Sequence, residues 1–326
     1  MKLLISLAAL VVALFFVSLL TGPAGLGMGD SLAALITGEG GPVALVMQEI
    51  RLPRALLGLM IGAALGLAGA AMQGFLRNPL AEPGLIGISS SAALGAVISL
   101  QTGLAAAFAF ALPLAALAGA ALSCALLLAM AGPRGGALAL ILAGIAISAL
   151  SGALSALVLN LSPNPFAAAE IVYWMMGALS DRSMSHVWLA APFLLCGMAA
   201  LFSLGPALDG LTLGEDAAAS LGIDLARSRL VLVLGTALAI GASVAVAGAV
   251  GFIGLVVPHL LRPLTGARPA KLLPAAALGG AAMLLAADIA TRLIAPERDL
   301  KLGVLTALVG APFFLHLIWK LRRLEA

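Results

Sequence analysis

Asp288 and Arg292 stand four residues apart in an otherwise apolar run, "LLPAAALGGAAMLLAADIATR" (272–292). On a helix that spacing puts both on one face as an ion pair. A lone carboxylate inside a membrane span costs roughly 2.5–3.5 kcal/mol on insertion scales, and a cation one turn away lowers that cost. One such pair explains itself structurally. It does not make the relay of ionisable groups that a proton-coupled transporter needs, so the energy source is expected elsewhere. Other chemistries lack their residues. There is no G-x-x-x-x-G-K-[ST], and none of the lysines follows a glycine, so no P-loop binds ATP here. G-x-S-x-G, H-E-x-x-H and a cysteine cluster are also missing, and an intramembrane hydrolase would have no nucleophile–base pair. His186, His259 and His316 are far apart at the edges of apolar runs, and Cys124 and Cys196 lie inside such runs as small hydrophobes. No catalytic residue, metal site or cofactor is expected.

Two further arginines raise a question of side. Arg51 and Arg54, in "EIRLPRALLG" (49–58), stand at the threshold of a long apolar stretch. The chain is 63% hydrophobic, 10% charged and has a mean hydropathy of +1.18, where a soluble domain carries about 25% charged residues. It reads as one all-α polytopic membrane domain over 1–326. Apolar runs bounded by charge, Pro and Gly predict ten transmembrane helices near 3–21, 54–75, 84–100, 106–131, 137–159, 187–205, 229–248, 250–265, 272–294 and 303–320. The boundary between the seventh and eighth is the least defined. Lys2 precedes an apolar stretch with no A-x-A site, which predicts an uncleaved first helix. A net charge of +3 gives no basis for nucleic-acid binding.

With the N-terminus inside, Lys2, Arg77, Arg134, Arg227, Arg229, Arg262, Arg268, Lys271, Lys320, Arg322 and Arg323 fall on the inner side. Arg51, Arg54, Arg182, Arg292, Arg298 and Lys301 fall outside. The bias of 11 to 6 favours both termini in the cytoplasm. It also leaves Arg51 and Arg54 on the wrong side of the rule, where they need another reason to exist.

Three segments position what chemistry there is. "TLGEDAAASLG" (212–222) predicts an inner-face helix of about nine residues, with Thr212 and Glu215 as a capping box and Gly222 as the C-terminal glycine. A helix that short does not stand alone in water. It must dock on the chain's own inner surface or in a groove of a cytoplasmic partner. Pro79 and Pro83 forbid a continuous helix through "LRNPLAEPGLIG" (76–87), so Asn78 to Gly84 is a bent turn at the inner face and a candidate pore constriction. Finally, "LAGAAMQGFLRNPL" after Arg51 is echoed by "VAGAVGFIGLVVPHLLRPL" after Arg229. Five spans apart, the two would have opposite orientation, as in an inverted repeat.

Together with "RLPR" (51–54), "GAAMQGFLRNPLAEPGLIGISSSAALGA" (69–96), "YWMMGALS" (173–180), "LGEDAAASLGID" (213–224), "GFIGLVVPHLLRPLTG" (251–266) and "GVLTALVGAPFFL" (303–315), these stretches resemble the FecCD family of ABC-importer permeases, over nearly the whole chain. The resemblance implies a type II ABC importer permease fold in the cell inner membrane. It implies a homodimer with one path on its axis, two ATPase subunits below and a substrate-binding protein above, for an iron–siderophore, haem or cobalamin-type cargo. Hydrolysis of ATP would belong to the partner. Leu213, Gly214, Glu215, Asp216, Ala217, Leu221 and Gly222 would match the family's coupling helix. Asn78 and Leu80 would match one cytoplasmic gate, and Ala137 and Leu138 another, here without hydroxyls. Arg51, Arg54 and Arg292 would match outer arginines that receive the binding protein's carboxylates, which accounts for their side. Asp299-Leu300-Lys301 replaces the family's usual Glu-Leu-Pro. The competing reading is a secondary transporter driven by an ion gradient.

Overall fold

The computed structural model describes the chain apart from residues 23–24, 39–40, 109, 133–135, 163–164, 296–298 and 326, and omits the side chains of 85, 165, 167, 318 and 320–325. Arg134 and Arg298 therefore lie outside the described residues. Among the described residues the regular structure is helical throughout. The first half runs α1 (Lys2–Leu20), α2 (Met28–Thr37), α3 (Pro42–Leu45), α4 (Leu52–Phe75), α5 (Ile88–Gln101), α6 (Leu104–Ala107), α7 (Ala111–Ala131) and α8 (Ala137–Asn160). The second runs α9 (Pro165–Met175), α10 (Met184–Ser203), α11 (Gly205–Leu211), α12 (Glu215–Ser220), α13 (Leu225–Ala247), α14 (Ile253–Leu261), α15 (Pro269–Ile294) and α16 (Leu302–Glu325). A π-helical turn, Val46–Arg51, joins α3 to α4.

Each of the ten expected spans falls on one of these helices. Among the described residues, seven helices are long and apolar enough to cross a bilayer alone. Of the other expected spans, α5 and α14, of 14 and 9 residues, fall short because they begin part-way through the bundle. After α4 the chain reverses at Arg77 (φ 48) and returns beside α4 before α5 starts past Gly87 (φ 79). Likewise α13 stops at Gly248 (φ 71), and α14 starts after Phe252 (φ 68). The undefined boundary between the seventh and eighth spans is thus a non-helical break over 248–252. The two broken spans are the third and the eighth, five apart, as the inverted repeat requires.

The core is built on α4, α13 and α15, and the apolar sides of α1, α7, α8 and α10 face outward. Small residues let α4 and α15 touch backbone to backbone, the interaction that replaces the hydrophobic effect in lipid. A Cβ on Gly66 would sit 2.2 Å from the Ala276 carbonyl oxygen, and one on Gly280 would sit 2.1 Å from that of Gly62. Gly66→Ala should therefore cost about 1–3 kcal/mol by overpacking, read as a lowered melting temperature in detergent. Unchanged melting would mean that the α4–α15 contact gives way to a methyl group without loss.

Candidate functional site: gate, coupling segment and outer ion cluster

Taking the face with Arg77, Arg227 and Arg262 as the inner one, α12 lies there between α11 and α13. Its start corrects the expected capping box. The Thr212 hydroxyl donates to the Asp209 carbonyl instead, and the N-cap is Gly214 at φ 105, with no side-chain cap. The helix is six residues, Glu215–Ser220, not nine. That φ favours glycine, so the break falls immediately before Glu215 and the Thr212 side chain never reaches the first turn. The C-terminal expectation is met. Gly222 (φ 84) closes a Schellman motif, in which the Ile223 N–H donates to the Ala218 carbonyl at 3.1 Å and the Gly222 N–H to that of Ala219 at 2.9 Å. Glu215 and Asp216 suit the helix N-terminus. Ala218 is fully buried, while Leu213 and Leu221 are 69% and 65% exposed, flanking the helix with apolar surface. Asp224 then caps α13 through the Arg227 N–H at 2.9 Å.

The bent turn that follows α4 is closed by Asn78, whose Oδ1 accepts the Leu80 N–H at 2.9 Å, an Asx turn. Arg77 reaches toward the start of α12, its Nη1 lying 3.9 Å from where a Gly214 Cβ would be. Ala137 and Leu138, the second pair expected at a gate, lie in the first turn of α8, with Leu138 68% exposed. Sequence reasoning passed over two residues beside this turn. Gln73 is fully buried; its Nε2 donates to the Gly254 and Leu255 carbonyls at 3.4 and 3.3 Å, and its Oε1 accepts from Arg262 at 2.8 Å. Glu82 accepts the Phe252 N–H at 2.7 Å. No local spacing marks either residue, because their partners lie 170 to 189 positions along the chain.

At the outer end the structure brings Arg51, Arg54 and Arg292 together around one carboxylate and one helix end. Asp288, 1% exposed, pairs with Arg292 at 2.8 Å, as its spacing predicted, and also with Arg54 at 2.9 Å. Arg292 further donates to the Ser18 and Thr21 carbonyls, both at 2.8 Å. Arg51, 4% exposed, donates to the carbonyls of Leu19 and Leu20 at 3.1 and 3.2 Å. The last carbonyls of α1 have no partner within the helix and carry its negative dipole end, so two guanidiniums complete them. Arg54 keeps the most solvent access of the three, its side chain 19% exposed against 8% for Arg292.

A polar cavity of about 370 Å³ lies elsewhere on the outer side, lined among others by Glu170, Tyr173, Asp181, Arg182, His186 and Lys301. Burial pushes the Arg182 guanidinium's pKa down, with neighbouring Asp181 acting against it. Lys301 pairs with Asp299 and lies 5.6 Å over the Tyr173 ring. Among the described residues no three His, Cys, Asp or Glu side chains gather as a metal site would need.

A helical membrane bundle with paired broken spans and a short capped helix on one face is the architecture of a transport permease. The FecCD transport family matches residues 10–320, and the chain belongs to that family. It is 39% identical over 98% of its length, and 95% of the relative's, to the vitamin B12 import system permease protein BtuC of Salmonella typhi. It is 38% identical over 82% of its length, and 77% of the relative's, to the ABC transporter permease protein YvrB of Bacillus subtilis (strain 168). Among solved structures it is similar to a metal-chelate type ABC transporter in an inward-facing conformation, with a TM-score of 0.87, 31% identity and coverage of 98% of this chain and 99% of that one. This is the permease of an ABC importer, a multi-pass membrane protein and a transport subunit rather than an enzyme.

Proposed function

We propose that two copies of the chain enclose one path through the cell inner membrane, with both termini cytoplasmic. Two ATPase subunits sit at α12, and a substrate-binding protein sits on the outer platform around Arg54. Arg51 and Arg292 serve that docking surface by fixing α1 beneath it. Asn78, Leu80, Ala137 and Leu138 form the cytoplasmic gate, and Leu213 to Gly222 transmit the ATPase's motion. The faces of α8 with Leu142 and Ile145, and of α16 with Leu308 and Val309, are apolar and exposed, which suits a second copy. The cargo is a metal chelate of the cobalamin, iron–siderophore or haem class, in keeping with the similar proteins.

The observation that carries this reading is α12, a helix too short to be stable alone, flanked by Leu213 and Leu221 that lie exposed to solvent. The test is uptake into proteoliposomes holding the permease, its ATPase and its binding protein, with cyanocobalamin, a ferric siderophore and haemin as probes. One probe should accumulate, and only with ATP. Accumulation driven by an ion gradient without the ATPase would make the protein a secondary transporter.

A further inference from the structure

Glu82 and Phe252 stand 170 residues apart, one on each stretch where a span is broken. The two stretches meet near half depth. A Cβ on Gly254 would lie 2.8 Å from the Pro83 ring and 3.0 Å from the carbonyl oxygen of Leu65, which is mid-way along α4 (Leu52–Phe75). Irregular backbone survives at that depth only against protein or a water-filled cavity. A cavity of about 190 Å³ is there, lined by Glu82, Ser89, Ile240, Val250 and Gly251 among others.

Phe252 is held from both sides. Its φ of 68 is a left-handed conformation that a bulky residue adopts only when its surroundings impose it. Its ring abuts Gly310 of α16, where a Cβ would come within 2.2 Å of it, and its N–H donates to Glu82. At the other end of α14, Arg262 is tied to Gln73 of α4. Side chains from one connected segment, Gln73 and Glu82, therefore hold α14 at both ends. Asn78 and Leu80 lie between them, and Arg77 reaches toward Gly214.

We propose that Glu82 is a positioning residue for transport, whose hydrogen bond to Phe252 makes the gate turn and α14 move as one body when the ATPase acts on α12. The inference rests on the gate and coupling reading above. It is the hydrogen bond that matters, rather than the charge. E82Q keeps an acceptor of the same reach, whereas E82D keeps the charge and falls short.

The test uses the whole permease–ATPase complex in lipid, on a C196S background with S89C as a reporter in the cavity. A soluble maleimide reads the labelling rate without nucleotide and after trapping with ATP and vanadate. Wild-type and E82Q complexes should show a labelling change of about tenfold between states, within the roughly 5–150-fold range typical of coupling between two sites. E82D and E82A should show little change while still hydrolysing ATP. Normal switching in E82D or E82A overturns the proposal, and so does failure of E82Q. If E82D and E82A do not assemble while E82Q switches normally, the bond holds only the fold, and the coupling role falls. A wild-type reporter that ignores nucleotide would instead overturn the gate reading beneath, and this proposal with it.

Discussion

Replacing Leu213 and Leu221 together by Asp should abolish association of the permease with its ATPase while leaving it inserted and folded. Both side chains are exposed at the ends of α12, so their loss removes little from the permease's own core. Burying a leucine against a partner gains about 1.5–3 kcal/mol, so the pair is worth roughly 10²- to 10⁴-fold in the association constant. Two new charges at the interface lower it further. Gly214→Glu is a poorer probe, because at φ 105 any L-residue strains the turn and confounds coupling with folding. Co-purification of the ATPase with the double variant, at the wild-type ratio, would exclude α12 as its docking element.

The spans were readable because a bilayer demands long apolar windows, and even the breaks left their marks in Pro79, Pro83 and Gly248. What the letters hide is depth: nothing in "NPLAEPG" says that the chain climbs back to the level of Leu65. Partners were hidden for the same reason. Spacing revealed Asp288–Arg292, four residues apart, but Arg54 reaches the same carboxylate across 234 positions, and Arg51 binds carbonyls 31 and 32 residues away. The T-x-x-E pattern misled because a capping box needs an extended residue at the cap, and Gly214 puts the break elsewhere. The resemblance supplied roles for the arginines, while the structure supplies the bonds that any such role must respect.

Those bonds make Asp288 the most sensitive position on the outer side. It is almost wholly buried and faces two guanidiniums, Arg54 and Arg292. Removing one partner of a buried ion pair costs about 3–5 kcal/mol, because the remaining charge stays desolvated. Asp288→Ala should therefore lower the melting temperature steeply and reduce the yield of folded permease, although α1's carbonyls still hold Arg292 and Arg51. Arg54→Leu in the same chain should recover part of the loss, since it removes one of the stranded cations, and the double-mutant cycle measures their coupling. The cycle also separates stability from docking. Reversing Arg54 to Glu would set a carboxylate against Asp288, so a weakened complex with the binding protein would be ambiguous, whereas Arg54→Gln removes the charge without creating that repulsion. A docking role predicts that Arg54→Gln slows association and flattens its salt dependence, as exposed rim charges do, with melting much less affected than in Asp288→Ala. If Arg54→Gln melts as poorly as Asp288→Ala and binds its partner at the wild-type rate, the outer cluster serves the fold alone.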